Sequence, residues 1–183
     1  MNTVILPVTK SAYVSEYYPF KNFAFSEALF TGRFQKEGDI YRSLLWFDLS
    51  VLFQIIPLEW CIKSACLKIN IVRNEVPAYK PVKLRIYALS EFWEERKVNW
   101  KNQPGTENEA EAEEEIASFF IGDKYIDITS LVTAWYQKTK ENYGIVIKGE
   151  ESCNSLLALA GSGFAKAHQK PALIVNYTQS IST

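Results

Sequence analysis

Apolar and polar residues alternate most clearly in three stretches. Residues 40–49 place Tyr41, Ser43, Leu45, Phe47 and Leu49 on one face and Arg42, Leu44, Trp46 and Asp48 on the other. The first set is assigned inward. Residues 62–73 set Ala65, Leu67, Ile69 and Ile71 inward against Cys66, Lys68, Asn70 and Val72 outward, and residues 82–89 set Val82, Leu84, Ile86 and Ala88 against Lys83, Arg85 and Tyr87. Shorter β-prone runs fall at 3–8, 12–15, 28–34, 116–121, 124–128, 145–148, 155–160 and 173–177, with turn residues between them. Residues 17–23 read as an aromatic loop, and residues 50–59 as an apolar stretch broken by Pro57, with room for an opening helical turn. One helical spacing stands out, over 129–138. Asp127 or Thr129 is placed to cap it, Leu131, Val132 and Trp135 share its face, and Lys138 and Lys140 suit its end. Many short strands and one short helix predict a single all-β domain over 1–183, an antiparallel β sandwich of jelly-roll type. A β-prone arm at about 1–10 and a tail at about 178–183 flank it.

One segment fits neither period. Phe92 to Pro104 carries two of the five tryptophans, Trp93 and Trp100, seven residues apart. It is too polar for a core strand and lacks a helical stripe. The reading is an ordered loop that folds back and plugs its indoles into a β core, contributing roughly 3–6 kcal/mol together. Trp93, Trp100, Pro104 and Trp135 are therefore assigned as structural anchors whose indole N–H groups need acceptors.

Composition narrows the function classes. A net charge of −1 supplies no global field for nucleic acid, and no run approaches the length of a membrane helix. The start lacks the pattern of a signal peptide. Cys61, Cys66 and Cys153 are odd in number and are read as free thiols, and His168 is the only histidine, so no zinc-ligand spacing exists. The run Glu107 to Glu115 holds six Glu and is read as a solvated loop. It lacks the Asp and the turn glycine of a calcium loop. No cofactor is called for, with a structural calcium left open. Glu94 and Glu95 are discounted as a glycosidase pair because adjacent residues on an extended loop point apart. Nothing in the residues demands catalysis.

The ordered set Arg42-Ser-Leu-Leu-Trp-Phe-Asp-Leu-Ser50, Ile62-Lys-Ser-Ala-Cys-Leu67, Trp93-Glu94, Val98-Asn-Trp-Lys-Asn-Gln-Pro104, Ile126-Asp-Ile-Thr-Ser-Leu-Val-Thr-Ala-Trp135, Asn142-Tyr-Gly-Ile-Val-Ile-Lys148 and Lys170-Pro-Ala-Leu-Ile-Val-Asn-Tyr177 resembles the DNRLRE family. These β-sandwich modules are related to disaggregatase and grouped with carbohydrate-binding modules. The resemblance implies a jelly roll without catalysis, a cell-surface, spore-surface or extracellular setting, and in some relatives binding of anionic polysaccharide. Two positions depart from the family pattern: Asn99 stands where a Thr is usual, and Trp46 where a basic residue is usual.

Candidate contact residues follow from the outward faces. Leu44 and Trp46 suit a neighbouring subunit, a sugar ring, or a covering loop of the same chain, for which residues 17–23 are placed. Lys68, Lys83 and Arg85, with Tyr87, form a basic row if their two strands share a sheet, able to hold uronates; ordinary solvated side chains are the plainer reading. Two roles are weighed. The first is a structural or interaction subunit of a surface assembly or fibre, binding copies of itself, with 3–8 adding a strand to a neighbour. The alternative is a module for anionic polysaccharide.

Overall fold

The structure, a computed structural model, describes residues 1–179, so part of the expected tail at 178–183 lies outside the described residues. In chain order the strands are β1 (Asn2–Pro7), β2 (Lys10–Ser15), β3 (Phe23–Ala24), β4 (Ala28–Arg33), β5 (Ile40–Trp46), β6 (Trp60–Asn74), β7 (Val82–Ala88), β8 (Ala112–Ile116), β9 (Gly122–Asp127), β10 (Ile145–Lys148), β11 (Leu157–Ala160) and β12 (Ala172–Gln179). Helix α1 (Ser50–Ile55) and helix α2 (Thr129–Tyr136) fill two of the connections. The first sheet runs β3-β2-β5-β10-β7-β8. The second carries β1-β12-β6, with β9 and β11 also on β6. β4 joins the two, pairing with β11 and, through Gly32 and Arg33, with β5. From β5 onward the chain passes repeatedly between sheets, and the ladders are antiparallel. This is the all-β sandwich that the alternation predicts.

The interior is built from the predicted inward faces. Leu45 and Phe47 meet Ala65, Leu67, Ile69 and Ile71 of β6 and Leu84 and Ile86 of β7, with Leu157, Leu159, Leu173 and Val175 from the late strands. All are at most 1% exposed. Helix α2 packs on β6 and buries Leu131, Val132 and Trp135. Neither predicted cap occupies the N-cap itself: that residue is Ile128, which has no side chain able to cap. Asp127 instead accepts from the Thr129 amide at 2.8 Å and its hydroxyl at 2.6 Å, pinning the first turn. These bonds hold the Asp127 carboxyl below its usual range. A depressed carboxylate adds stability that is present above the unfolded value near ~3.9 and is lost as pH falls through the folded one. Asp127→Ala should cost about 1 kcal/mol at neutral pH. Urea unfolding should show that gap narrowing in acid.

Four expectations change. The 3–8 run is not a free arm: β1 pairs with β12 from Asn2↔Tyr177 to Pro7↔Ala172 and completes the chain's own sheet. The acidic run is an exposed loop only in its first half. Its second half is β8, where Glu113 pairs with Lys83 and Arg85, and Glu114 with Lys124. The consecutive Glu113 and Glu114 thus find cations on two different strands, which a count of charges does not show. In contrast, residues 117–121 do not form a strand. Finally, Trp135 finds no acceptor for its buried Nε1 among the described residues.

Candidate functional site

The Trp loop does not enter the sandwich interior. It lies on the outer face of the first sheet and makes a second small core there. Trp93 and Val98 cover Ala12, Val14, Leu44 and Val146, with Trp46, Tyr87, Trp100 and Tyr143 around them. The loop is held by short polar side chains. Asn22 donates to the carbonyls of Glu95 and Val98 at 2.8 and 2.7 Å. The Glu95 carboxylate accepts from the Ser11 amide at 2.8 Å. Asn99 caps a 3-10 turn, Trp100–Asn102, accepting from Lys101 and Asn102, and Asn102 accepts from the Asn99 amide in return. Trp93 donates to the Tyr143 carbonyl at 2.9 Å and Trp46 to that of Asn142 at 3.0 Å.

Leu44 is therefore covered by its own chain, but by the Trp loop rather than by residues 17–23. Trp46 keeps a half-buried face, over which the Lys10 ammonium sits 4.7 Å from the ring centre. The basic row is also redrawn. β6 and β7 belong to different sheets, so Lys68 is parted from Lys83 and Arg85. It lies 3.7 Å from the Asp123 carboxylate and donates to the His168 carbonyl.

A different row takes its place. In the first sheet Arg42 of β5 is directly opposite Lys148 of β10, and Lys148 is directly opposite Arg85 of β7. Three cations stand side by side across adjacent strands, spanning about 10 Å. One residue pair further along, Leu44, Val146 and Tyr87 form an apolar row in the same register. Two hollows open above these rows and share Lys148. One, of about 290 Å³, is lined by Arg42, Leu44, Val146 and Lys148 and walled by Gln103 and Pro104 of the Trp loop. The other, of about 460 Å³, lies among Arg85, Tyr87, Lys148 and Glu150.

The charges in this trough are unequal. Arg42 is held by Glu151 through two bonds of 2.8 and 2.9 Å and by Gln103 at 3.2 Å, and its guanidinium lies 4.7 Å from the Trp100 ring centre. Arg85 shares Glu113 with Lys83, and both bonds hold the Glu113 carboxyl below its usual range. Lys148 has no carboxylate within 4.0 Å among the described residues; its ammonium rests 4.6 Å above the Tyr87 ring. Burial first, and then Arg42, lower the Lys148 pKa, with the Glu151 carboxylate acting against both. A half-buried ammonium between two guanidinium-bearing strands is short of negative charge.

A family model for carbohydrate-binding modules matches residues 2–177. The chain belongs to carbohydrate-binding module family 96. No curated protein matches it. Membership in family 96 bears out the carbohydrate-binding-module kinship read from the ordered motifs, though not the narrower DNRLRE name. Of the two roles weighed from the sequence, it supports carbohydrate binding and gives no support to a fibre subunit.

Arg85, Tyr87 and Leu44 were singled out from the sequence and line this family 96 trough. Lys83 stands beside it, while Trp46 and Lys68 line neither hollow. Pro104, assigned as an anchor, also walls it, while Trp100 lines neither hollow and stands against the Arg42 guanidinium. Arg42 and Lys148 were missed. The signal that finds them is register: residues at the ends of short strands become neighbours only once the strands are aligned.

Proposed function

We propose that the chain is a non-catalytic module that binds anionic polysaccharide in the trough over β5, β10 and β7. The observation that carries the reading is Lys148, a cation without a carboxylate partner, standing between Arg42 and Arg85 in one cross-strand row. A uronate carboxylate placed there gains charge-assisted bonds. Tyr87, which lines the second hollow, supplies an aromatic surface for a sugar ring, and two hollows in line suit an extended chain. The partner is a polysaccharide, which suits an extracellular or surface setting. No helix among the described residues is long and apolar enough to cross a membrane.

Calorimetric titration against soluble polyuronates, a neutral glucan and peptidoglycan tests this. A polyuronate should bind, more weakly as salt rises. Lys148→Ala with Arg85→Ala should lower the affinity by about ten-fold or more. Binding indifferent to both substitutions, or silence across every polyuronate, would discard the reading.

A further inference from the structure

A second cleft lies at the open end of the sandwich, away from the trough. Its lining is Tyr13 of β2, Phe23 of β3, Phe30 of β4, Tyr41 of β5, and Tyr18 and Phe34 from the loops, closed by Arg73 and Leu156. None of these residues lines the trough. The volume is about 190 Å³. Packed interiors seldom keep voids much larger than a water molecule. Here six aromatic side chains meet and still leave a space open to solvent.

The arrangement of the rings is fixed. Tyr13 stacks on Phe23 with centres 4.3 Å apart and meets Phe30 edge-on at 5.2 Å; Tyr41 tilts against both Tyr13 and Phe30. The walls thus present flat faces and ring edges together. Polar groups are few: the Tyr13, Tyr18 and Tyr41 hydroxyls and the Arg73 guanidinium. Arg73 is already matched by Glu75 at 2.8 Å and lies over the Phe34 ring. Burial pushes the Tyr13 phenol up to about 12, and burial followed by the Asp39 carboxylate does the same to Tyr41. Both stay protonated and neutral over any ordinary pH. Behind Tyr41, Asp39 is 7% exposed and its Oδ1 has no partner.

The cleft therefore differs from the trough in kind. The trough has a cation with no carboxylate within 4.0 Å among the described residues, whereas the cation at this cleft is paired and its walls are aromatic on several sides and edged by hydroxyls. It is also well below the roughly 300–1,000 Å³ of clefts that take drug-sized molecules, so it suits one ring rather than an oligomer. A ring with apolar C–H faces and hydroxyls at its rim matches both features of the lining.

We propose that the aromatic cleft between Tyr18, Phe34 and Tyr41 is a second, separate binding site for a single neutral pyranose ring, such as the end or a side branch of a glycan. Nothing in this depends on the trough. The pyranose stacks against the aromatic walls, and its hydroxyls exchange hydrogen bonds with the phenols. Together the two sites let one module hold a charged stretch and a neutral ring of the same material, which raises retention through effective concentration.

Saturation-transfer NMR with neutral methyl pyranosides of gluco, galacto and manno configuration, alongside methyl glucuronoside and phenol, tests the assignment on the full chain. At least one neutral pyranoside should receive saturation. Tyr18→Ala, at a half-exposed position, and Tyr41→Phe, which removes only a hydroxyl, should each weaken binding by about ten-fold, equivalent to ~1.4 kcal/mol. Lys148→Ala should leave it unchanged, and the cleft variants should leave polyuronate binding unchanged. Tryptophan fluorescence should stay silent to the pyranoside, since no tryptophan lines the cleft. Saturation of phenol alone, of no ligand, or transfer lost in Lys148→Ala but kept in the cleft variants would overturn the proposal. A polyuronate that fails to bind while a pyranoside succeeds would sink the trough reading and leave this one standing.

Discussion

With Trp93 replaced by alanine, the protein should lose about 3–5 kcal/mol of stability and its affinity for polyuronates together. Trp93 is 5% exposed and sits at the centre of the outer core, over Leu44 and Val146. Removing it opens a cavity on a sheet face with only a loop above it. The loop's remaining ties are the smaller Val98 side chain and hydrogen bonds from Asn22, to Glu95, from Arg42 to Gln103 and from the Lys101 amide to the Pro19 carbonyl, each bond of modest net worth in water. With Trp93 gone the loop has too little buried area to stay seated. Gln103 and Pro104, which wall the trough, then move with it. Trp93→Phe separates the two contributions. It keeps most of the apolar body but leaves the Tyr143 carbonyl without its donor, and should cost about 1–3 kcal/mol. Guanidinium unfolding and calorimetry on the same samples check this. Normal stability in Trp93→Ala would show that the loop is held by something other than its indole.

The fate of that loop shows what the sequence carries and what it does not. Period-two alternation placed β5, β6 and β7 and oriented them correctly, because each strand has one face against a dry interior and register cannot slip without exposing it. The helix at 129–136 was legible for the same reason at its own period. Leu44 and Trp46 broke the pattern, and the break was real: their face is also buried, under a segment too polar to read as core. The Trp loop buries Trp93 and half-buries Trp100 on short Asn and Glu ties, and such ties leave no period in the chain. Lys148 was hidden differently. It ends a four-residue strand of otherwise buried residues, so alone it reads as a strand terminus. Its meaning comes from Arg42 and Arg85, 106 residues before it and 63 residues before it in the chain, and only the antiparallel register supplies that proximity. Lys68 misled for the converse reason, since β6 and β7 are consecutive in sequence yet lie in opposite sheets.

Gly144→Ala, in the turn Asn142-Tyr143-Gly144, should be the other severe substitution. Gly144 has φ +95°, and a Cβ there would stand 2.3 Å from the Leu45 carbonyl oxygen. The obstruction is backbone at the first pair of the β5–β10 ladder, so no side chain can swing aside. Left-handed strain and overpacking together should cost about 2–5 kcal/mol. The surrounding bonds raise the stakes. The carbonyls of Asn142 and Tyr143 accept from Trp46 and Trp93, the Asn142 side chain donates to Phe47, and the Gly144 carbonyl accepts from Leu89. The turn therefore fixes both indoles and, four residues later, the height of Lys148 in the row between Arg42 and Arg85. If β10 shifts to relieve the contact with Leu45, that row loses its alignment. Gly144→Ala should thus weaken polyuronate binding even under conditions where it remains folded, while pyranoside binding in the aromatic cleft, which takes no residue from β10, should persist. Thermal unfolding with both ligands present measures this directly: stabilisation by the pyranoside should survive in the variant and stabilisation by the polyuronate should not. Equal loss of both would mean that the turn governs the whole sandwich rather than the trough.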